Sequence, residues 1–152
     1  MAAYFFDSSA LAKLYHPEVG SPEVDQIAEN AGNQIRISRL TVVELPSVFA
    51  IKVRTQFISR EDAGLFLRQF REDIVTRKFE VFAIGEAEFA EAERLLEQYA
   101  FDFRLRALDA IQIAVALGLK GQALVDHFVA ADKVLCGVAS LERFDVLNPE
   151  YR

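Results

Sequence analysis

Short apolar runs alternate with helix-patterned stretches along this 152-residue chain, and that alternation limits the possible folds more than anything else in it. Strand-type runs stand at 3–6, 35–38, 79–83, 128–130 and 145–147. Between them lie segments whose apolar residues recur at helical spacing, such as Val42, Leu45, Val48 and Phe49. Strands that alternate with helices call for a parallel sheet covered on both faces. The sequence therefore predicts an α/β fold: a parallel sheet of about five strands with helices on both sides, in one domain over residues 1–152.

Local signals set the expected helix limits. A short helix is expected over 8–15. Ser21 is read as an N-cap, with Pro22 at the first helical position and the end near Ala31-Gly32. A long helix is expected over 41–56, and another opens at Ser59 and reaches residue 74. Three more are expected over 86–99, 108–119 and 133–141. No repeat, low-complexity tract or linker interrupts the pattern.

Four acids then stand out by position. Asp7 directly follows the first strand run, and Asp132 closes the run at 128–131. Glu44 comes six residues after the second run, which ends at Ser38. Asp109 lies in the most apolar helical stretch, between Ala107-Leu108 and Ala110-Ile111. In an open parallel sheet, ligands bind outside the carboxyl ends of the strands, so acids placed there converge on one crevice. Clustered carboxylates need cations to neutralise them. With no thiolate or histidine at metal-binding spacing, oxygen ligands favour Mg²⁺ or Mn²⁺ over Zn²⁺. His16 and His127 are read as structural.

Each acid also has an ordinary explanation. Asp7 and Asp132 both precede helices and fit N-caps. Thr41-Val42-Val43-Glu44 fits a capping box in which Glu44 reaches back to the Thr41 backbone. Asp109 fits a solvated helix face. The sequence taken residue by residue leaves both readings open.

Bulk properties exclude several classes. At 52% apolar residues the chain is not disordered. A single cysteine, Cys136, leaves no internal disulfide framework, and a reduced cytoplasmic setting fits best. The longest stretch free of Asp, Glu, Lys and Arg is the ten residues 110–119. A membrane-spanning helix needs roughly 18 or more apolar residues. The first seven residues have neither the basic region nor the apolar core of a secretory leader. A net charge of −6 argues against a general basic nucleic-acid binder, yet it suits a nuclease whose acidic centre supplies part of the excess.

The motifs in order resemble a known family. Phe6-Asp7-Ser8-Ser9-Ala10-Leu11 resembles the opening of PIN domains, and Thr41-Val42-Val43-Glu44-Leu45 resembles their second motif. Residues 105–114, centred on Asp109, resemble the third. Phe128-Val129-Ala130-Ala131-Asp132-Lys133 and Val146-Leu147-Asn148-Pro149 resemble the closing strands. Within that family the length and ending look most like VapC-type toxins of toxin–antitoxin pairs. The resemblance implies a Mg²⁺- or Mn²⁺-dependent endoribonuclease with an acidic quartet carried onto Asp7, Glu44, Asp109 and Asp132. It implies a hydroxyl from Ser8 or Ser9 in the metal shell, an RNA substrate, a small antitoxin partner and a homodimer. Two positions depart from the pattern: Gln112 stands where His is frequent, and Ala130 where Ser or Thr is frequent.

RNA approaching an acidic crevice needs cations at the rim, and Lys13, Arg39, Arg104, Arg106 and Lys133 neighbour the acidic motifs in sequence. Val48, Phe49, Phe57, Leu65 and Phe66 offer core contacts or an apolar groove for a partner helix. Haloacid-dehalogenase-type chemistry would require an Asp where Ser9 stands, and no phosphate-binding glycine loop or G-x-S-x-G is present. The non-enzyme alternative is a PIN-like RNA- or protein-binding module that has lost catalysis.

Overall fold

The computed structural model describes residues 2–151, so the two terminal residues of the domain read over 1–152 lie outside the described residues. Five strands form one all-parallel sheet: β1 (Ala3–Phe6), β2 (Gln34–Ser38), β3 (Glu80–Phe82), β4 (His127–Val129) and β5 (Asp145–Leu147). Their order is β3-β2-β1-β4-β5. The chain steps outward from β1 through β2 to β3, then returns to the other side of β1. The reversal between β1 and β4 is the topological switch point, where an open parallel sheet has its crevice.

Among the described residues seven α-helices cover the sheet: α1 (Ser8–Leu11), α2 (Ser21–Glu29), α3 (Arg39–Arg54), α4 (Arg60–Val75), α5 (Glu86–Tyr99), α6 (Ala107–Gly121) and α7 (Lys133–Leu141). A 3-10 turn, Ala12–Leu14, extends α1. Successive strand residues face opposite sides, and β1 divides its two phenylalanines accordingly. Phe5 joins Phe128 and residues of α5, α6 and α7 in one core. Phe6 joins Ile35, Ile37, Val129 and residues of α1 to α4 in the other. Both rings are fully buried, so the central strand ties two cores together. No helix among the described residues is long and apolar enough to cross a membrane.

Two helix caps differ from the sequence reading. The expected capping box of Thr41 and Glu44 does not form. Ser38, the last residue of β2, caps α3 by accepting from the Leu40 amide at 3.0 Å. Helix α3 thus begins two residues early, Thr41 becomes its third helical residue, and Glu44 stands in the second turn, free of capping. The second difference is at α2, where Gly20 is the N-cap at φ +90° and Ser21 is already helical. The Ser21 hydroxyl instead donates to the Lys13 carbonyl at 2.8 Å. A side chain at position 20 would meet the Pro149 backbone at 3.0 Å as well as an unfavourable φ, so only glycine fits there.

That close approach belongs to a strap formed by the chain after β5. Lys13, expected at a cationic rim, is buried beneath it. Its ammonium donates to the Val19 carbonyl at 2.7 Å and pairs with Glu150 at 2.9 Å and Glu18 at 3.2 Å. Of the two histidines, His127 stacks on Tyr4 and lies 2.7 Å from Asp145, and His16 neighbours Glu18.

Candidate active site

Asp7 turns off the end of β1 and caps α1. Its Oδ1 accepts from the Ala10 amide at 3.0 Å, and the Ser9 hydroxyl lies 2.9 Å from both carboxylate oxygens. The side chain is 6% exposed. Burial is the main reason its carboxyl is pushed up from 3.8 to about 7; the Ala10 and Ser9 hydrogen bonds oppose this, and Glu44 and Asp109 reinforce it.

Asp109 occupies the first turn of α6. Its Oδ2 accepts from the Arg106 amide at 3.3 Å, and the Arg106 guanidinium lies 3.7 Å away. Burial raises its carboxyl, the Arg106 contacts pull it down, and Asp132 pushes it up. Asp132 caps α7, with Oδ1 accepting from the Leu135 amide at 2.9 Å. Glu44 reaches from α3 and receives the Ser8 hydroxyl and the Gln112 amide on Oε1, each at 2.8 Å.

The fold therefore brings the four acids into one electrostatic neighbourhood: Glu44 and Asp109 act on Asp7, and Asp132 acts on Asp109. Three of them are also helix-end acids: Asp7 and Asp132 are N-caps, as the ordinary reading expected, and Asp109 stands in the first turn of α6, where that reading expected a solvated face. Among the described residues, Glu44 Oε2, Asp109 Oδ1 and Asp132 Oδ2 have no hydrogen-bond partner. At Asp7 the Ala10 amide serves Oδ1 and the Ser9 hydroxyl can serve Oδ2, two bonds against about four lone-pair sites of a carboxylate. Among the described residues, no three acidic, histidine or cysteine side chains stand close enough to cage one ion. The arrangement fits a hydrated cation held through one or two carboxylates, the usual manner of Mg²⁺. The Cys136 thiol donates to the Ala130 carbonyl, and burial, with Asp7 and Asp132 nearby, pushes it up to about 12. It stays protonated, so the available donor set is all oxygen, as a hard cation requires.

Ser8 and Ser9 direct their hydroxyls onto Glu44 and Asp7, supporting the acids. Arg39, Arg104, Arg106 and Lys133 are exposed around this end of the molecule. Lys133 lies 5.1 Å from the centre of the Tyr151 ring. Sequence reasoning missed Thr41 as part of the polar cluster around Glu44, although it lies one helical turn from that acid.

The opposite end of the sheet separates the two late aspartates. Asp126 precedes β4, where its Oδ2 accepts from the Ala3 amide at 2.8 Å and its own amide donates to the Ala3 carbonyl at 2.8 Å. Asp126→Ala is expected to cost about 1 kcal/mol of stability through that lost bond and to leave Mn²⁺ binding intact. Asp132→Ala should weaken Mn²⁺ binding. Calorimetric titration of both variants checks this, and equal losses would remove Asp132 from the site.

The PIN domain family matches residues 4–140, and the protein belongs to that family. None of the curated proteins matches the chain. Among solved structures, VapC20 of Mycobacterium tuberculosis, described as a sarcin-ricin-loop-cleaving toxin, superposes with a TM-score of 0.67 at 15% identity, covering 98% of each chain. FitAcB of Neisseria gonorrhoeae gives 0.65 at 16% identity, covering 98% of this chain and 99% of that one. VapBC2 of Rickettsia felis, solved with a promoter DNA fragment, gives 0.62 at 16% identity, covering 96% and 98%. At these identities the likeness is one of fold.

Proposed function

We propose that this protein is a Mg²⁺- or Mn²⁺-dependent endoribonuclease, with Asp7, Glu44, Asp109 and Asp132 as its acidic centre. The observation that carries the reading is the gathering of four incompletely satisfied carboxylates, one of them buried and pushed up to about 7, at the switch point of a PIN domain. A divalent ion bound there would lower the pKa of a coordinated water and offset charge on the phosphate oxygens. Asp7 and Asp109 supply negative charge from a poorly solvated position. Glu44 Oε2 is available to orient the attacking water. The exposed arginines and Lys133 draw the RNA backbone toward a crevice that would otherwise repel it.

The toxin role and its partner belong to the same proposal. A groove of about 480 Å³ between α3 and α4 is lined by Pro46, Phe49, Val53, Arg60, Ala63 and Leu67. Phe49 forms its buried floor, while Phe57 and Leu65 are exposed on the same two-helix unit, at 74% and 53%. This supports docking of an amphipathic antitoxin helix. We also infer one domain over 1–152, a homodimer and a cytoplasmic location.

The test is RNA cleavage by purified protein. Mn²⁺ or Mg²⁺ should support it and EDTA should stop it; full activity in EDTA, with contaminating nuclease excluded, overturns the metal role. The second reading is a PIN-like RNA- or protein-binding module without catalysis. RNA binding without metal-dependent cleavage would establish that reading instead.

A further inference from the structure

Gln112 lies three residues beyond Asp109 on α6 and is 2% exposed. Its Nε2 is 2.8 Å from Glu44 Oε1, 2.9 Å from Thr41 Oγ1 and 3.3 Å from Ser8 Oγ. Ser8 Oγ is in turn 2.8 Å from Glu44 Oε1 and 3.1 Å from Thr41 Oγ1. Proton counting orders this cluster. The amide has two N–H groups, and its two shorter contacts are Glu44 and Thr41. The single Ser8 proton goes to Glu44, which leaves Thr41 as the donor between the two hydroxyls. Every donor is then used, and two of them converge on Glu44 Oε1.

The amide orientation follows from the same contacts. Turned over, Gln112 would set its carbonyl oxygen against a carboxylate oxygen, two acceptors face to face. In the orientation present, Gln112 Oε1 is buried with no partner among the described residues. An orphaned buried acceptor is unfavourable, so packing alone does not account for an amide here. An apolar side chain of similar volume would fill the space without that penalty. The amide's compensating role is its pair of donors.

We infer that Gln112 is a positioning residue for Glu44: it pins the carboxylate through Oε1 and leaves Oε2 as the oxygen presented to a hydrated cation or the attacking water. This rests on the proposed nuclease reading. Glu44 is carried on α3 and Gln112 on α6, so the contact also joins the two faces of the sheet at the carboxyl end. Asp109 sits one turn from Gln112, which couples the placement of Glu44 to that of Asp109.

A mutant cycle tests it. Gln112→Met keeps the volume and removes both donors. It should fold, lower kcat and Mn²⁺ affinity by about ten- to a hundredfold, and leave KM for RNA unchanged. Gln112→His restores a single N–H donor and should recover most of the loss. Placed on Glu44→Gln, Gln112→Met should add no further loss in Mn²⁺ affinity or kcat, because its effect passes through that carboxylate. Wild-type Mn²⁺ affinity and kcat in Gln112→Met, or equal losses in both backgrounds, overturn the inference. If Gln112→Met does not fold, Ser8→Ala removes the other donor to the same oxygen and takes its place in the cycle, with the same outcomes. If the wild-type protein neither binds Mn²⁺ nor cleaves RNA, the nuclease reading fails by itself. A crystal structure of the Gln112→Met protein, or of Ser8→Ala if that variant has taken its place, then decides the positioning role: a displaced Glu44 carboxylate supports it and an unmoved one overturns it.

Discussion

Asp7→Asn is expected to abolish RNA cleavage and, in the same protein, to raise the melting temperature of the metal-free form at neutral and alkaline pH. Asparagine keeps the cap, since its side-chain oxygen can accept from the Ala10 amide as Asp7 does. It removes an anion that burial, Glu44 and Asp109 all disfavour. The folded protein holds the Asp7 proton up to about 7, whereas the unfolded chain releases it near 3.8. That stabilisation is complete below the unfolded value and fades as pH rises through 7. At most it amounts to roughly 4 kcal/mol. Wild-type melting temperature in EDTA should therefore fall across pH 4 to 8, while Asp7→Asn loses this contribution to the slope. Each kcal/mol corresponds to about 2–4 °C in a chain of this size. Mn²⁺ should raise the melting temperature of wild type more than that of the variant. A destabilised Asp7→Asn protein at pH 8 would mean that the charge itself holds the fold together.

Glu44→Gln is expected to lower cleavage by about a hundredfold or more and to change stability by less than about 1 kcal/mol. The helix start at Arg39 makes this test cleaner than the sequence alone allows, because Glu44 caps nothing. A glutamine oxygen can still accept from Ser8 and Gln112, so the contact between α3 and α6 survives. What changes is the second oxygen, which becomes an amide that cannot bind a cation. Thermal melts alongside single-turnover cleavage separate the two effects. Near-normal cleavage would make Glu44 a structural tie only.

The sequence was most legible where local chemistry and tertiary packing agree. The helices expected from Glu86 to about Tyr99 and from Lys133 to about Leu141 are α5 and α7. Gly85 with Glu88 marks the start of the first, and Asp132 the start of the second. The acids after β1 and β4 were legible because a parallel sheet sends its carboxyl ends to one side. The errors arise where a residue answers to distant partners. Ser21 looked like an N-cap, but its hydroxyl is taken by the Lys13 carbonyl. Lys13 looked like a rim cation, but Glu150, far along the chain, covers it. Thr41 and Glu44 had capping-box spacing, yet Ser38 at the end of β2 claimed the cap first. The Glu44 cluster was not legible as a unit, because Ser8, Thr41 and Gln112 sit on three elements that only the fold brings together.

Strand order also governs when the acidic centre can exist during synthesis. β1 is made first, but its neighbour β4 comes last but one, with Tyr4 in register with His127. A nascent or truncated chain ending before residue 127 already carries Asp7, Glu44 and Asp109, yet lacks the strand that completes the crevice. Contacts of such sequence separation are the late and slow ones in folding. The β1–β4 pairing therefore closes late, and a chain cut before residue 127 holds Asp7, Glu44 and Asp109 but neither β4 nor Asp132.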